Sequence, residues 1–85
     1  MRDDAVAGRF EIGEGDGIVF ADYRRSGDLL FIDHVEAPPA LRGSGAAGRL
    51  MEAIVVQAER EGRTIVPVCG YAAAWLQRRE RTQPR

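Results

Sequence analysis

One stretch constrains the chain more than any other: HVEAPPALRGSGAAGRLMEAIVVQAEREG, from His34 to Gly62. Pro38 and Pro39 cannot donate to a β ladder, so a strand that reaches them must stop. Gly43, Ser44, Gly45, Ala46, Ala47 and Gly48 follow, with no bulky side chain over the backbone. Ala47, Leu50, Met51, Ile54, Val55 and Ala58 then recur at three- and four-residue steps, while Arg49, Glu52, Gln57, Glu59 and Arg60 lie mainly off that stripe. Gly62 is a natural stop. The pattern predicts one amphipathic helix from about Ser44 to Glu61, roughly 26 Å long, enough to cross a sheet. A small-residue loop at a helix start leaves backbone N–H groups and the positive end of the dipole open, which suits an anion such as phosphate. A plain strand-to-helix connection has the same composition, so the loop alone leaves both readings open.

The flanking sequence supplies the sheet. Met1 to Gly8 has no apolar period and reads as a loose start. Arg9 to Ile12 alternates as a short strand, and the Gly13-Glu14-Gly15-Asp16-Gly17 run reads as a hairpin turn whose acids repel phosphate and are too few and too close for a calcium loop. Ile18 to Arg24 is a second strand and Arg25 to Asp28 a turn. Leu29 to Glu36 is a third strand; if no bulge intervenes, Leu30, Ile32, His34 and Glu36 share one face. Short connections make these three an antiparallel meander. Thr64 to Cys69 is a fourth strand, apolar enough to be covered on both faces, although Pro67 implies an unpaired edge. The third strand, the helix and the fourth strand form a β-α-β unit with parallel strands. Tyr71 to about Arg79 is a second helix with Ala72, Trp75 and Leu76 inward, and Thr82 to Arg85 is a frayed tail. The expected fold is therefore a single α/β (α+β) domain over residues 1–85, with the order β-β-β-α-β-α.

Composition removes several functions. A chain of 85 residues builds one domain with a thin core. Twelve arginines against 13 acids give a net charge of −1, which argues against nucleic acid as the main partner. No apolar run approaches the ~20 residues of a membrane span and no secretion signal is evident, so a cytoplasmic protein with no membrane partner is expected. The single cysteine, Cys69, excludes an intrachain disulfide and a multi-cysteine metal site, and no metal is expected. Lysine is absent, which a coding bias toward Ala, Gly and Arg explains.

Arg42-Gly43-Ser44-Gly45-Ala46-Ala47 fits the R-x-x-G-x-A/G motif of the GNAT-type N-acetyltransferases. DHVEAPPALRGSGAAGRL, followed later by IVPVCGYAAAW, resembles small stand-alone GNAT-like domains of the YjdJ/NATD-like group, over roughly residues 9–77. The resemblance implies acetyl-coenzyme A (acetyl-CoA) as co-substrate and an amine of a small molecule or protein as acceptor. It implies that N–H groups from Gly43 to Ala47 bind pyrophosphate. It also implies that Val35, Glu36 and Ala37 face the pantetheine arm where two parallel strands part. Arg42 either pairs with phosphate charge or packs over the loop. Larger relatives carry further strands and helices that wall the acceptor pocket, so the acceptor surface here is expected to be open or completed by another chain, in a monomer or homodimer. After Leu76 the sequence QRRERTQPR departs from the subfamily's His-Pro-containing ending.

Acetyl transfer to an amine requires a neutral nucleophile, a polarised thioester carbonyl and a proton for the leaving thiolate. His34 and Glu36 are candidates for the base: histidine titrates near neutral pH, whereas Glu36 needs a raised pKa or an intervening water. A hydrogen-bonded strand histidine and a substrate-orienting carboxylate are their structural alternatives. Cys69, placed by the resemblance beside the thioester, either becomes acylated, or protonates the thiolate, or is a small buried hydrophobe. Tyr71 stands near the place of the acid used by many GNAT-like enzymes, and a core tyrosine explains it equally well. The competing function is a module that binds CoA or acyl-CoA without efficient turnover. A phosphate-loop nucleotide binder lacks the lysine its loop requires.

Overall fold

The computed structural model describes residues 1–14 and 17–82 of the chain. Five strands form one sheet in the order β1 (Arg2–Asp4), β2 (Arg9–Glu14), β3 (Gly17–Ser26), β4 (Leu29–Glu36) and β5 (Thr64–Pro67). Neighbouring strands are antiparallel through β4, and β5 runs parallel to β4. Helix α1 (Ala46–Glu61) makes the crossover and α2 (Gly70–Thr82) follows β5. The mixed α/β class, the meander and the parallel β-α-β unit are those the sequence predicts. The Gly15-Asp16 tip of the predicted hairpin and the Gln83–Arg85 tail lie outside the described residues. No helix among the described residues is long and apolar enough to cross a membrane.

Alternation on the strands and the three- and four-residue period on α1 converge on one core. Phe10, Val19, Ala21, Leu30 and Ile32 from the sheet meet Leu50, Met51 and Ile54 from α1 and Ala72 from α2, each with no exposed surface. Both helices lie on this face. Gly48 of α1 faces Trp75 of α2, and Glu52 accepts from Arg79 at 2.9 and 3.0 Å. The opposite face is dressed by arginines: Arg9 lies 3.9 Å over the Phe20 ring and Arg24 lies 4.6 Å over Phe31. Asp22 and Asp33 fix those guanidiniums at 3.1 and 2.7 Å.

Several features differ from the sequence expectation. The amino-terminal residues form β1 instead of a loose start. Charge, not burial, holds that strand: Asp3 accepts from the Tyr23 hydroxyl and, at 2.9 Å, from Arg25. Helix α1 begins at Ala46, later than the period suggested, because Gly43 and Gly45 sit at φ 80° and 89°, outside the right-handed helical region. Strand β5 stops at Pro67 and is an edge strand, exposed at Thr64 and only partly exposed from Ile65 to Pro67. The chain turns there, and the N–H groups of Val68 and Cys69 both donate to the Ile32 carbonyl, at 3.0 and 3.1 Å. Finally, β4 is bulged. Asp22 opposes His34 but Tyr23 opposes Ile32, so Asp33 is an extra residue. Beyond it the faces exchange. Val35 and Ala37 pack against the core with Leu30 and Ile32, while His34 and Glu36 turn to the arginine-dressed face, each 52% exposed.

The corner between β4 and α1 is braced from behind. A short 3-10 turn (Pro39–Leu41) follows Pro38, and Gly17 at the start of β3 backs onto it. A Cβ at Gly17 would lie 2.7 Å from Pro38 Cγ and 3.2 Å from Leu41 Cδ1, so only glycine fits without displacing the corner. At the other end of α1, the N–H of Gly62 donates to Ala58 and Glu59, and that of Arg63 donates to Ala58 at 2.9 Å, which closes the last turn.

Candidate active site

The site begins where β4 outruns its neighbour. The last pair between β4 and β5 is Ile32 with Pro67, yet β4 continues to Glu36. From Asp33 to Glu36 the edge turned away from β3 has no strand against it among the described residues. Pro67 has no N–H to extend the ladder, and Val68 and Cys69 share one acceptor, so the two strands part here.

The glycine-rich loop lies beside this opening. Ser44 donates from its hydroxyl to the Leu41 carbonyl at 2.6 Å and accepts from the Ala46 N–H at 3.2 Å. Gly45 is the residue that caps α1 and has no side chain to offer, and the first turn carries no acid. The N–H groups of Gly43, Gly45, Ala47 and Gly48 consequently have no acceptor among the described residues. They are the orphan donors of a helix start, at the positive end of its dipole. Arg42 donates from Nε to the Ala37 carbonyl at 3.2 Å, which ties the loop to the end of β4.

Between the strand end, the loop and α2 lies a cleft of about 520 Å³, within the ~300–1,000 Å³ typical of small-molecule sites. Val35, Glu36 and Ala37 form one wall; Leu41, Arg42, Gly43 and Gly45 form the second; Ala47, Gly48 and Tyr71 close it. The loop thus contributes both glycines. Ala46 instead points into the core, 1% exposed, and Ser44 uses its hydroxyl within the loop.

The candidate proton-transfer residues divide into two groups. Tyr71 lines the cleft from the first turn of α2, and burial, the largest cause, pushes its hydroxyl above the ordinary tyrosine value of 10.0. Charge at Cys69 adds to the rise and Arg78 opposes it, so Tyr71 is a protonated donor at neutral pH. Glu36 also lines the cleft, with Oε1 3.1 Å from His34 Nε2. His34 does not wall the cleft; its ring lies 6.2 Å from that of Phe20 on the arginine-dressed face. Cys69 is half-buried against the core, its carbonyl accepting from the Ala73 N–H at 3.0 Å, and it too is absent from the cleft wall. The sequence pattern placed Arg49 merely off the buried stripe. In the structure its guanidinium folds back over the loop, with Nη2 3.4 Å from the Ser44 carbonyl. The signal was its position one helical turn after Gly45, which the apolar period does not carry.

A strand end opened on one edge, a loop of N–H donors without acceptors among the described residues and a helix crossing back over the sheet form a cleft suited to an anionic ligand with an extended arm. The chain belongs to the GCN5-related N-acetyl-transferase family, whose model matches residues 9–84. No curated protein matches it.

Proposed function

We propose that the protein is an acetyl-CoA-dependent N-acetyltransferase acting on an amine of a small molecule or protein. The observation that carries this reading is the meeting, in one cleft, of the opened β4 edge and the free N–H donors at the start of α1. Donors of that kind suit a diphosphate, and an unpaired strand edge suits an arm rich in amides. Gly43 and Gly45 are required on the loop because they keep side chains away from the phosphate path. Acetyl-CoA, when bound, supplies the activated acyl group as a thioester.

The chain's own residues then manage the protons. In the reaction a C–N bond to the acceptor forms and the C–S bond breaks. Glu36, at the cleft wall and half exposed, takes the proton leaving the amine through an intervening water, and His34, hydrogen-bonded to it, lies on the solvent side of that path. Tyr71 donates to the departing thiolate, a role for which burial keeps it protonated. Cys69 does not line the cleft, which favours direct transfer over an acyl-cysteine.

Thioester cleavage with a panel of amines tests each part. Tyr71→Phe should bind acetyl-CoA normally and lower kcat by roughly 100-fold or more, whereas Cys69→Ala should retain turnover. Loss of turnover in Cys69→Ala, with binding intact, would contradict direct transfer. A second reading, a CoA-binding module without efficient turnover, is favoured by one observation: the bulge turns the His34–Glu36 pair half into solvent. Tight binding with no cleavage above background for any amine would select it.

A further inference from the structure

We infer that the uncovered face of the sheet is the docking surface for the acceptor, and that the acceptor amine is carried on an extended cationic polypeptide segment rather than on a small free amine. The inference rests on the N-acetyltransferase reading above. Both helices pack on the core face, which leaves the opposite face of β1 to β4 without a helix over it. The cross-strand register aligns that face into rows. One row runs Arg2, Glu11, Phe20 and Glu36; the next runs Asp4, Arg9, Asp22 and His34. Each antiparallel strand therefore brings one carboxylate to the two rows, and the four carboxylates outnumber the two arginines.

The arginines leave that excess in place. Arg9 is committed to Asp22 at 3.1 Å and to the Phe20 ring. Arg2, 74% exposed, stands 4.0 Å from Asp4 and 3.7 Å from Glu11. Glu36 has His34 as its partner and no guanidinium beside it among the described residues. An apolar depression adjoins the rows. Ile18, two residues before Phe20 and so on the same face, is 53% exposed, and across the ladder from it stands Gly13, where a Cβ would meet nothing within 4 Å. Of the residues in the two rows, Glu36 alone also walls the cleft, so the face leads to the point where amine and thioester meet. From Glu36 to β1 the rows cross three strand spacings, about 14 Å at ~4.8 Å each. A small amine engages Glu36 and goes no further. An extended chain spans the distance in about four or five residues, with basic side chains against the carboxylates and an apolar one at Ile18. Charge excess of this kind steers a cationic partner to the face and fixes its register.

The test supplies the full chain with acetyl-CoA and three acceptors: propylamine, a Gly/Ser peptide with one lysine, and the same peptide with arginines and a leucine flanking the lysine. Thioester cleavage gives kcat and KM, and the fluorescence anisotropy of the labelled arginine peptide reads docking without turnover. The arginine peptide should be used with a kcat/KM about tenfold or more above the other two, an advantage that shrinks as salt rises. Glu11→Gln and Gly13→Phe, both outside the cleft wall, should each raise its KM about threefold or more while its kcat, every constant for propylamine and the folded thermal transition are kept. Glu59→Gln, the same charge change on the helix side of the molecule, should leave all of these as in the wild type. Equal use of the three acceptors, or a KM rise that Glu59→Gln shares, would overturn the docking face and leave the acetyltransferase reading standing. Binding of the arginine peptide that Glu11→Gln and Gly13→Phe weaken, with no acetyl-CoA cleavage for any amine, would sustain the face as a polypeptide-binding surface and overturn the enzymatic reading instead.

Discussion

Glu61 occupies the last turn of α1, where the negative end of the helix dipole disfavours an anion. The surrounding donors reverse that penalty. Arg25 reaches both carboxylate oxygens, at 2.8 and 2.7 Å, Gln57 donates at 2.7 Å and Arg63 at 2.8 Å. The hydrogen bonds from Arg25, the largest cause, hold the Glu61 carboxyl down to about 2 from its ordinary 4.5. Because the folded value is depressed, the unfolded chain binds the proton first as pH falls, and stability declines with it. The Glu61 contribution should be complete above pH 4.5 and lost progressively down to about pH 2. Urea unfolding across that window should show a steeper decline for the wild type than for Glu61→Gln; parallel curves would show that the cluster does not couple to folding. None of this was legible in the sequence, because Asp3, Arg25 and Glu61 are far apart in the chain and no period joins them. Single-residue chemistry was legible in kind but not in place. The sequence singled out Cys69 ahead of Tyr71, yet it is Tyr71 that lines the cleft where the chain leaves β5.

The third predicted strand appears unchanged in its ends as β4, Leu29–Glu36, yet its working feature was missed. Perfect alternation assigns Leu30, Ile32, His34 and Glu36 to one face. The apolar residues Leu30, Ile32, Val35 and Ala37 skip one position instead, which is the mark of an inserted residue, and Asp33 is that residue. Helix α2 was read short for a related reason. Its last turns are QRRERT, which have no apolar period but consist mostly of good helix formers, so the helix runs to Thr82. The Pro38 corner, by contrast, was legible because proline acts locally. What the sequence hid is its brace, since Gly17 is distant in the chain. Gly17→Ala should therefore destabilise the protein by roughly 1–3 kcal/mol, as the new methyl group meets the rigid Pro38 ring rather than a flexible side chain. Chemical denaturation measures this, and an unchanged midpoint would mean that the corner yields without cost.

At the scale of the molecule, a sheet covered by two helices on one face leaves its other face to arginine-shielded Phe20 and Phe31. The opened strand edge, the loop and Tyr71 meet on a single cleft, and Glu36 joins them while its partner His34 faces outward. The class of fold was readable because long, periodic segments dominate it. The loop of the cleft was readable from its own residues, whereas Val35 to Ala37 and Tyr71 were named only through the family resemblance, because the geometry of those walls depends on a bulge and on a strand that stops early. The central claim is that the amide groups at the start of α1 hold the diphosphate while the end of β4 receives the arm attached to it. Titrating the ¹⁵N-labelled protein with acetyl-CoA and following backbone amides tests this directly. The amides of Gly43, Gly45, Ala47 and Gly48 should show the largest shifts, followed by Val35 to Ala37. Largest shifts in the separate groove bounded by Val55, Ile65 and Leu76, or no shift at all, would contradict it.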